Sequence, residues 1–278
     1  MNLKDQFLRF WRSENEKIAI LRDVLVALLA VFIVLLILWA YTGQWFAAPM
    51  VAIESGSMEH PNAPYGRLGT IDAGDMVLVV KVNTRDDVIT HGGDFGGAKA
   101  LNDPQYKFYE NWGDVIIYKP EGRDDLDQII HRAMCWVEVH TDGGETTYTI
   151  EEFGIYNQKQ FGPIPELGLN EADYAPDWPH SGYLTKGDNN DRFDQYNNAI
   201  TPVPVKLSWI TGKARSEIPW IGTINLFFED LLNPGKSTLH NVHTDSFVCL
   251  GVLIATLISI PIILDLYDYF KHKKEEQP

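Results

Sequence analysis

The stretch VLVALLAVFIVLLILWAY, residues 24–41, decides the architecture of this chain. It contains no charged residue, and a helix rising about 1.5 Å per residue over this length spans roughly the hydrocarbon core of a bilayer. Aromatic side chains, which favour the membrane–water interface, lie at its far end: Trp39, Tyr41, Trp45 and Phe46. We therefore expect a transmembrane helix over residues 24–46.

A second apolar run, FVCLGVLIATLISIPIIL, begins at Phe247 and predicts a transmembrane helix over residues 246–266. Its Pro261 is expected to kink that helix, which is tolerated inside a membrane. Basic residues precede the first run and follow the second, so the positive-inside rule places both ends of the chain in the cytoplasm. The expected segments are cytoplasmic residues 1–23 and 267–278 and an extracytoplasmic domain of residues 47–243.

A cleaved signal peptide is the alternative interpretation of the first apolar run. The run is long for the apolar part of a signal peptide. In addition, Phe46-Ala47-Ala48 lacks the small residue that a cleavage site needs at its first position. Both features favour a retained membrane anchor.

The predicted extracytoplasmic domain is strongly acidic. Residues 47–243 hold 29 acidic and 15 basic side chains, so nearly all of the chain's net charge of −15 lies there. Nucleic acid is a poor partner for such a surface, because its phosphates are bound by basic residues. We interpret the acidity as a solvated coat, suited to a salty medium or to avoiding an anionic membrane surface.

Between the apolar runs, the sequence pattern is typical of short β-strands. The fold class that it predicts is mainly β, a β-rich domain between two transmembrane helices. Two long stretches, residues 83–112 and 153–181, are interpreted as insertions, and residues 219–232 as a helix at the membrane interface. The expected strands are residues 76–82, 115–119, 128–140, 145–150 and 203–212, with a hairpin turn at Asp142-Gly143-Gly144.

A short loop after the first apolar run, Glu54-Ser55-Gly56-Ser57-Met58, contains the first candidate for a nucleophile. Gly56 permits a tight turn that projects Ser57 and leaves backbone N–H groups available. A serine hydroxyl is a weak nucleophile, and it needs a neighbouring base and donors aimed at the developing oxyanion. Short Ser/Gly loops are common, so this loop by itself identifies no active site.

Four further motifs follow in order along the chain. They are Gly74-Asp75-Met76-Val77-Leu78-Val79, Gly113-Asp114-Val115-Ile116-Ile117-Tyr118, Ile130-His131-Arg132, and Lys186-Gly187-Asp188-Asn189-Asn190 with Asp194 shortly after it. With the serine loop, this ordered set resembles type I signal peptidase, in the branch found in archaea and in the endoplasmic reticulum. That branch carries His-Arg where the bacterial enzymes carry a catalytic lysine. The resemblance runs as scattered motifs from about Met50 to Ile218, and their order makes it specific.

The resemblance implies a serine-protease mechanism with a role for each matching residue. Ser57 corresponds to the nucleophile, His131 to the general base, and Asp194 to the carboxylate that orients the base. Asp188 corresponds to a residue that supports the site. A neutral imidazole can take the serine proton and deliver it to the leaving amine, while the carboxylate stabilises the imidazolium. Such a relay requires contacts of about 3 Å from Ser57 Oγ to His131 and from His131 to Asp194.

The resemblance also implies binding features around the nucleophile. Ser55 and the Ser57 backbone N–H correspond to the oxyanion hole. The expected substrate groove, in which an extended precursor segment adds as a strand, is lined by Ile53, Met58 and Ile130. No metal and no organic cofactor are expected.

One departure from the family pattern lies beside the nucleophile. The family has Pro two residues after the Met of the serine loop, whereas here His60 precedes Pro61. The connection over residues 62–73 is correspondingly long. This departure alters the surroundings of the nucleophile but displaces no residue with a catalytic role.

Other interpretations of the same residues are open. A histidine in an apolar strand, such as His131, is also typical of a buried structural residue. Asp188, Asp191 and Asp194 are spaced as in some calcium sites but lack the full EF-hand pattern, and the family pattern selects Asp194 over Asp191 as the orienting carboxylate. The remaining histidines have no comparable context and are expected at the surface: His60, His91, His140, His180, His240, His243 and His272.

The sequence therefore predicts a membrane-bound serine endopeptidase that removes N-terminal signal peptides from secreted precursors. Its expected partners are signal peptides and the lipid bilayer, with accessory subunits unspecified. The expected location is the plasma membrane of an archaeon, as a multi-pass protein with an extracellular catalytic domain; in a eukaryote it is the endoplasmic-reticulum membrane with a lumenal domain. Two alternatives are a self-cleaving repressor-type peptidase, which uses a lysine base and has no membrane spans, and a catalytically silent membrane-anchored β-domain that acts as a receptor or envelope scaffold.

Overall fold

Two units make up the chain, residues 1–49 and residues 50–278. The computed structural model describes residues 2–60, 69–92, 94–95, 98–99, 103–170 and 173–275. Most of the predicted long connection after His60 therefore lies outside the described residues. The first unit is helical, and the second holds the strands and two further helices.

The first unit contains α1, Leu3–Trp11, and α2, Glu16–Thr42. α2 covers the predicted transmembrane helix of residues 24–46 only as far as Thr42. It also begins earlier than predicted, because Asn15 caps it by accepting a hydrogen bond from the Lys17 N–H at 3.1 Å. Gly43 ends it in the left-handed conformation, with a φ of 69°. With 27 residues and a mean hydropathy of 3.0 over its apolar part, α2 is long and apolar enough to cross a membrane.

The second unit is built on antiparallel strands. Along the main sheet, neighbouring strands follow the order β1-β2-β12-β7-β8-β9-β10, and β11 also pairs with β8. The strands are β1 Met50–Ala52, β2 Met76–Val80, β3 Asp94–Phe95, β4 Ala98–Lys99, β5 Lys107–Phe108, β6 Asn111–Trp112, β7 Val115–Tyr118, β8 Ile129–Asp142, β9 Glu145–Ile150, β10 Ile155–Gln158, β11 Gly182–Lys186 and β12 Ile210–Ile218.

β8 is the strand on which the sheet centres. Its first half pairs with β7 on one side and with β11 on the other, and its second half pairs with β9. His131 lies opposite Ile116 of β7, and Arg132 lies opposite Lys186 of β11. The His131-Arg132 motif therefore occupies the interior of the sheet, where neighbouring strands fix its backbone on both sides.

The structure confirms most of the predicted strands and corrects one. The hairpin of β8 and β9 turns at Gly143-Gly144, as predicted. The strand predicted over residues 203–212 is wrong: residues 207–209 form a helical turn, and β12 begins at Ile210. Pro202 and Pro204 explain the difference, because proline has no N–H to donate to a strand ladder.

The overall class is mixed rather than mainly β. The mostly antiparallel sheet and the two apolar terminal helices are present as expected. Two further α-helices accompany them in the described part of the chain, so the prediction of a mainly β protein holds only in part.

The two predicted insertions differ in character. The described part of the first, residues 83–112, forms the short strands β3 to β6 and two single helical turns. The second, residues 153–181, supplies core residues and is not a simple surface loop. Its Phe161, Leu167 and Trp178 are buried against β8 side chains such as Met134 and Val137.

The second unit ends in α3, Gly222–Leu232, and α4, Thr244–Glu275. α3 lies within the range predicted to be helical, and it buries Leu226 while exposing a set of large apolar side chains: Ile224, Phe227, Phe228, Leu231 and Leu232. α4 contains the second predicted span, and its stretch Thr244–Lys271 has a mean hydropathy of 2.8 over its apolar part. Pro261 lies inside α4, and the helix continues past it.

A buried carboxylate ties the start of β7 to β12. Asp114, fully buried, accepts hydrogen bonds from Lys213 Nζ at 2.9 Å and from Arg215 at 2.8 Å. It also accepts the Ile89 backbone N–H at 3.0 Å. A carboxylate with this many donors can remain charged away from water, and it fixes the register of the two strands.

Asp114→Asn is expected to destabilise the second unit by about 3 to 5 kcal/mol, because it leaves the Lys213 and Arg215 charges without their buried partner. Thermal unfolding of the full chain in detergent measures the change. Asp125→Asn is the matched control, since Asp125 pairs with Arg123 in full contact with solvent and such pairs add little. Equal unfolding midpoints for Asp114→Asn and the unsubstituted chain would contradict this role.

Candidate active site

The residues around the candidate nucleophile form a compact turn, which we call the serine turn and define as Glu54–His60. The turn follows β1 and closes with a hydrogen bond from the Glu59 N–H to the Gly56 carbonyl at 3.2 Å. Met58 is buried in the core, whereas Ser55 is exposed and Ser57 is half-buried. Burial of Met58 therefore anchors the turn and leaves its serines accessible.

The structure brings Ser57, His131 and Asp194 into one hydrogen-bonded row. His131 Nε2 lies 3.0 Å from Ser57 Oγ, and His131 Nδ1 lies 2.6 Å from Asp194 Oδ2. His131 is 2% exposed and Asp194 is 1% exposed. Both distances match those that the sequence hypothesis requires. An Nδ1–H donated to the carboxylate leaves the Nε2 lone pair facing the serine hydroxyl, which is the arrangement of a general base.

Two residues that the sequence did not single out hold the Asp194 carboxylate. Tyr118 donates its hydroxyl to Asp194 Oδ2 at 2.9 Å, and Thr185 donates to the same oxygen at 2.7 Å. Burial, together with the charge of Asp194, raises the pKa of Tyr118 well above its ordinary value, so the phenol keeps its proton and remains a donor. Tyr118 ends a quoted motif and Thr185 immediately precedes another, but only the pairing of β7 and β11 with β8 shows their contact with Asp194.

The Asp188 side chain binds Arg132, and among the described residues it forms no hydrogen bond with His131 or Ser57. Arg132 is fully buried and donates to both Asp188 oxygens, with Nε at 2.7 Å from Oδ1. The same guanidinium donates to the Gly113 carbonyl at 2.6 Å. Burial disfavours the charged carboxylate, but the Arg132 charge and hydrogen bonds, with a smaller contribution from His60, lower the pKa of Asp188 to about 2. Asp188 is thus an ionised partner of the residue next to His131.

The loop that carries Asp188 also grips the serine turn. Asn189 donates its backbone N–H to the Ser57 carbonyl at 2.9 Å and its side-chain amide to the Gly56 carbonyl at 2.9 Å. Gly187 permits this approach, because a Cβ there would lie 2.6 Å from the Ser57 carbonyl oxygen and 2.9 Å from His131 Nε2. The Gly-Asp-Asn-Asn motif therefore holds the serine turn close to His131.

The second insertion supports the segment around Asp194. Phe193 donates its N–H to the Leu167 carbonyl at 3.2 Å, and Tyr174 donates its hydroxyl to the Gln195 carbonyl at 3.1 Å. Asp191, the rival candidate for the orienting role, is exposed on the surface of this segment. It is Asp194 that meets His131.

The predicted oxyanion and groove residues occupy different environments. Ser55 Oγ lies 3.3 Å from Ser57 Oγ on the accessible side of the turn. Ile53 and Met58 are each only 1% exposed and belong to the core beneath the turn. Among the three predicted groove residues, only Ile130 presents part of its surface to a substrate without a rearrangement.

The expectation that the other histidines lie at the surface is wrong for His91. His91 is buried, and its Nδ1 lies 3.1 Å from the Trp112 carbonyl. His60 is half-buried, with Nε2 at 3.3 Å from Asp188 Oδ2. His91 and His60 carry no local sequence signal. They lie close to the residues around β8 because the first insertion and the serine turn fold back on that strand.

Comparison with protein-family models finds no model that matches this chain, and comparison with curated proteins finds no match either. The family resemblance therefore stays a prediction, based on the ordered motifs and on the geometry that they form.

Asp188→Asn is expected to destabilise the protein by about 3 to 5 kcal/mol near pH 7, since it leaves the fully buried Arg132 without a counter-charge. The folded-state pKa of Asp188, about 2, lies below its ordinary value of 3.8. Between about pH 4 and pH 2, the native state therefore binds fewer protons than the unfolded state. The stabilisation that the ionised Asp188 contributes is lost as the pH falls through this range.

Urea unfolding of both forms between pH 7 and pH 2 tests this. The difference in the free energy of unfolding between the unsubstituted chain and Asp188→Asn should be constant above about pH 5 and should shrink below it. Asp191→Asn, three residues further along the same loop and exposed, is the control and should unfold like the unsubstituted chain. A difference that does not change with pH would refute the ionised pair.

Proposed function

We propose that this chain is a membrane-anchored serine endopeptidase of the signal-peptidase type, with Ser57 as the nucleophile. The observation that carries the proposal is the row of Ser57, His131 and Asp194, with contacts of 3.0 and 2.6 Å. The serine is accessible while its two partners are buried. Nucleophilic catalysis by serine needs a base beside an accessible hydroxyl. A histidine with only a structural role does not need an accessible serine as its partner.

The proposed reaction proceeds through an acyl-enzyme. His131 Nε2 takes the proton of Ser57 Oγ as the oxygen attacks the scissile carbonyl carbon, and it then gives that proton to the leaving amine. Water, deprotonated by the same imidazole, attacks the ester carbonyl, and the acid product leaves as Ser57 regains its proton. Asp194 stabilises the imidazolium formed in each half-reaction. The mechanism requires no metal or organic cofactor.

The oxyanion that forms in each half-reaction needs donors from the serine turn. The Ser57 backbone N–H and the Ser55 hydroxyl are the proposed donors, since Ser55 Oγ lies 3.3 Å from Ser57 Oγ on the accessible side. Donors that are fixed before the reaction stabilise the developing charge without a cost of reorganisation.

The proposed substrate is the signal peptide of a secreted precursor, bound in an extended conformation. β1, Met50–Ala52, stands at one end of the main sheet order and runs directly into the serine turn. A peptide that adds to such an edge by main-chain hydrogen bonds would bring a peptide bond to the nucleophile. The choice of signal peptides over other extended peptides rests on the family resemblance.

The apolar helices support a membrane location for this activity. α2 and α4 are each long and apolar enough to cross a bilayer, and α3 exposes aromatic and aliphatic side chains suited to the interface. An enzyme held in the bilayer meets precursors whose apolar segments lie in the same membrane. We propose two membrane spans with the catalytic domain outside the cytoplasm. In an archaeon the protein would lie in the plasma membrane, and in a eukaryote the catalytic domain would lie in the endoplasmic-reticulum lumen. Accessory subunits are unspecified.

Ser57→Ala and His131→Ala are each expected to reduce cleavage of a precursor with an Ala-x-Ala site by about 10³-fold or more, because each removes part of the acyl-forming machinery. Release of mature product by the purified full chain in detergent, identified by mass spectrometry, measures this. His140→Ala is the matched control, since His140 lies on the same strand as His131 but is exposed. Ser208→Ala, an exposed serine elsewhere, controls for Ser57.

Cleavage that survives in Ser57→Ala would refute the mechanism. A folded, unsubstituted chain that cleaves no precursor would favour the catalytically silent receptor or scaffold instead.

A further inference from the structure

The residues just before α4 contact the serine turn at both of its ends. Asn241 donates its side-chain amide to the Glu54 carbonyl at 2.8 Å. His243 Nε2 lies 3.1 Å from Glu59 Oε2. These two contacts bracket Ser57 within the turn, although neither Asn241 nor His243 reaches the nucleophile or its base in the described structure.

The Glu59 carboxylate occupies the inside of the turn. It lies so close beneath Gly56 that a Cβ at that position would be 2.7 Å from Glu59 Oε2. Its other oxygen accepts the Ala73 N–H at 3.3 Å, and only about a tenth of the side chain is exposed. A largely buried carboxylate needs donors, and His243 supplies the side-chain contact from the last residue before α4.

The segment that carries these two side chains is itself well fixed. The Asp230 carboxylate, at the end of α3, accepts hydrogen bonds from the Thr238 N–H at 3.0 Å, the Thr238 hydroxyl at 2.8 Å and the Leu239 N–H at 3.1 Å. Between Asn241 and His243, Val242 is buried against Ala73. A segment held in this way can act as a fixed support for the turn.

We propose that Asn241 and His243 are positioning residues that hold the serine turn, and with it Ser57, at the distance its base requires. The inference rests on the proposed function for its catalytic consequence, but the restraint on the turn stands apart from the reaction. We call Asn241 and His243 the clamp. Because α4 begins at Thr244, directly after the clamp, the proposal gives the second apolar helix a role beyond anchorage.

The test compares His243→Ala, Asn241→Ala and Glu59→Ala in the full chain in detergent. Each is expected to lower kcat for an Ala-x-Ala precursor by about 10- to 100-fold, the effect of displacing a reacting group by about an ångström. KM should change little, because the substrate contacts are retained. His243→Ala combined with Glu59→Ala should be no worse than the stronger single substitution, since the two side chains act through one contact.

Hydrogen–deuterium exchange of the peptide that covers residues 54–60 reports on the turn without any reaction. Exchange should accelerate in His243→Ala and Asn241→Ala. It should return towards that of the unsubstituted chain in His243→Gln, whose amide N–H replaces the imidazole N–H as the donor to Glu59. His240→Ala is the control, because His240 is exposed on the same segment and its ring contacts the Ser237 carbonyl. Thermal unfolding midpoints are measured for each variant. A midpoint close to that of the unsubstituted chain shows that faster exchange comes from loosening of the turn and not from loss of the fold.

Unchanged exchange in the turn in His243→Ala and Asn241→Ala would overturn the clamp, whatever the peptidase assay shows. A faster-exchanging turn with unchanged kcat would overturn its catalytic consequence. If the unsubstituted chain cleaves no precursor, the proposed function fails, and the exchange data alone decide whether the clamp exists.

Discussion

The carboxylate of Asp194 accepts hydrogen bonds from side chains on three neighbouring strands, and the candidate site depends on this convergence. His131 on β8, Tyr118 on β7 and Thr185 on β11 all meet its Oδ2 oxygen, at 2.6, 2.9 and 2.7 Å. A carboxylate that is only 1% exposed inside a protein needs hydrogen-bond donors, and here three of them meet the same oxygen. Because the donors come from separate strands, the pairing register of the sheet decides whether the imidazole faces the serine.

The second requirement is that the serine turn be held against this buried pair from outside the sheet. Asn189 fixes it through the Gly56 and Ser57 carbonyls, and the ion pair of Asp188 with Arg132 fixes the loop that carries Asn189. The clamp before α4 contacts the turn near both of its ends, at Glu54 and Glu59. Rigid elements therefore position an accessible hydroxyl to within hydrogen-bond distance of a buried base, which is what a preorganised nucleophile needs.

The sequence was sufficient to name the three residues of the candidate site and insufficient to name those that hold them. Ser57, His131 and Asp194 were named because a set of motifs in a fixed order resembled a family, and the fold brings them together. The sequence assigns no role to Tyr118 or Thr185, since a tyrosine or a threonine in a strand is ordinary and its partner depends on strand pairing.

Other errors have equally local causes. The prediction of a strand over residues 203–212 is wrong because two prolines interrupt the ladder before Ile210. His91 is buried because the first insertion folds back on β8, which no short-range pattern encodes. Ile53 and Met58 were expected to line a groove, but apolar side chains next to a turn serve equally well to anchor it in the core.

The most direct test of the central claim is the pH dependence of alkylation of a thiol placed at the nucleophile position by Ser57→Cys, in a chain that also carries Cys249→Ala. The native Cys135 is fully buried, and burial raises its pKa, so it should not react. A thiol beside His131 should ionise at least about one pH unit below the thiol introduced by Ser55→Cys, and this difference should disappear when His131→Ala is added. Identical pH profiles at the two positions would contradict the proposed pairing of Ser57 with a buried, carboxylate-oriented imidazole.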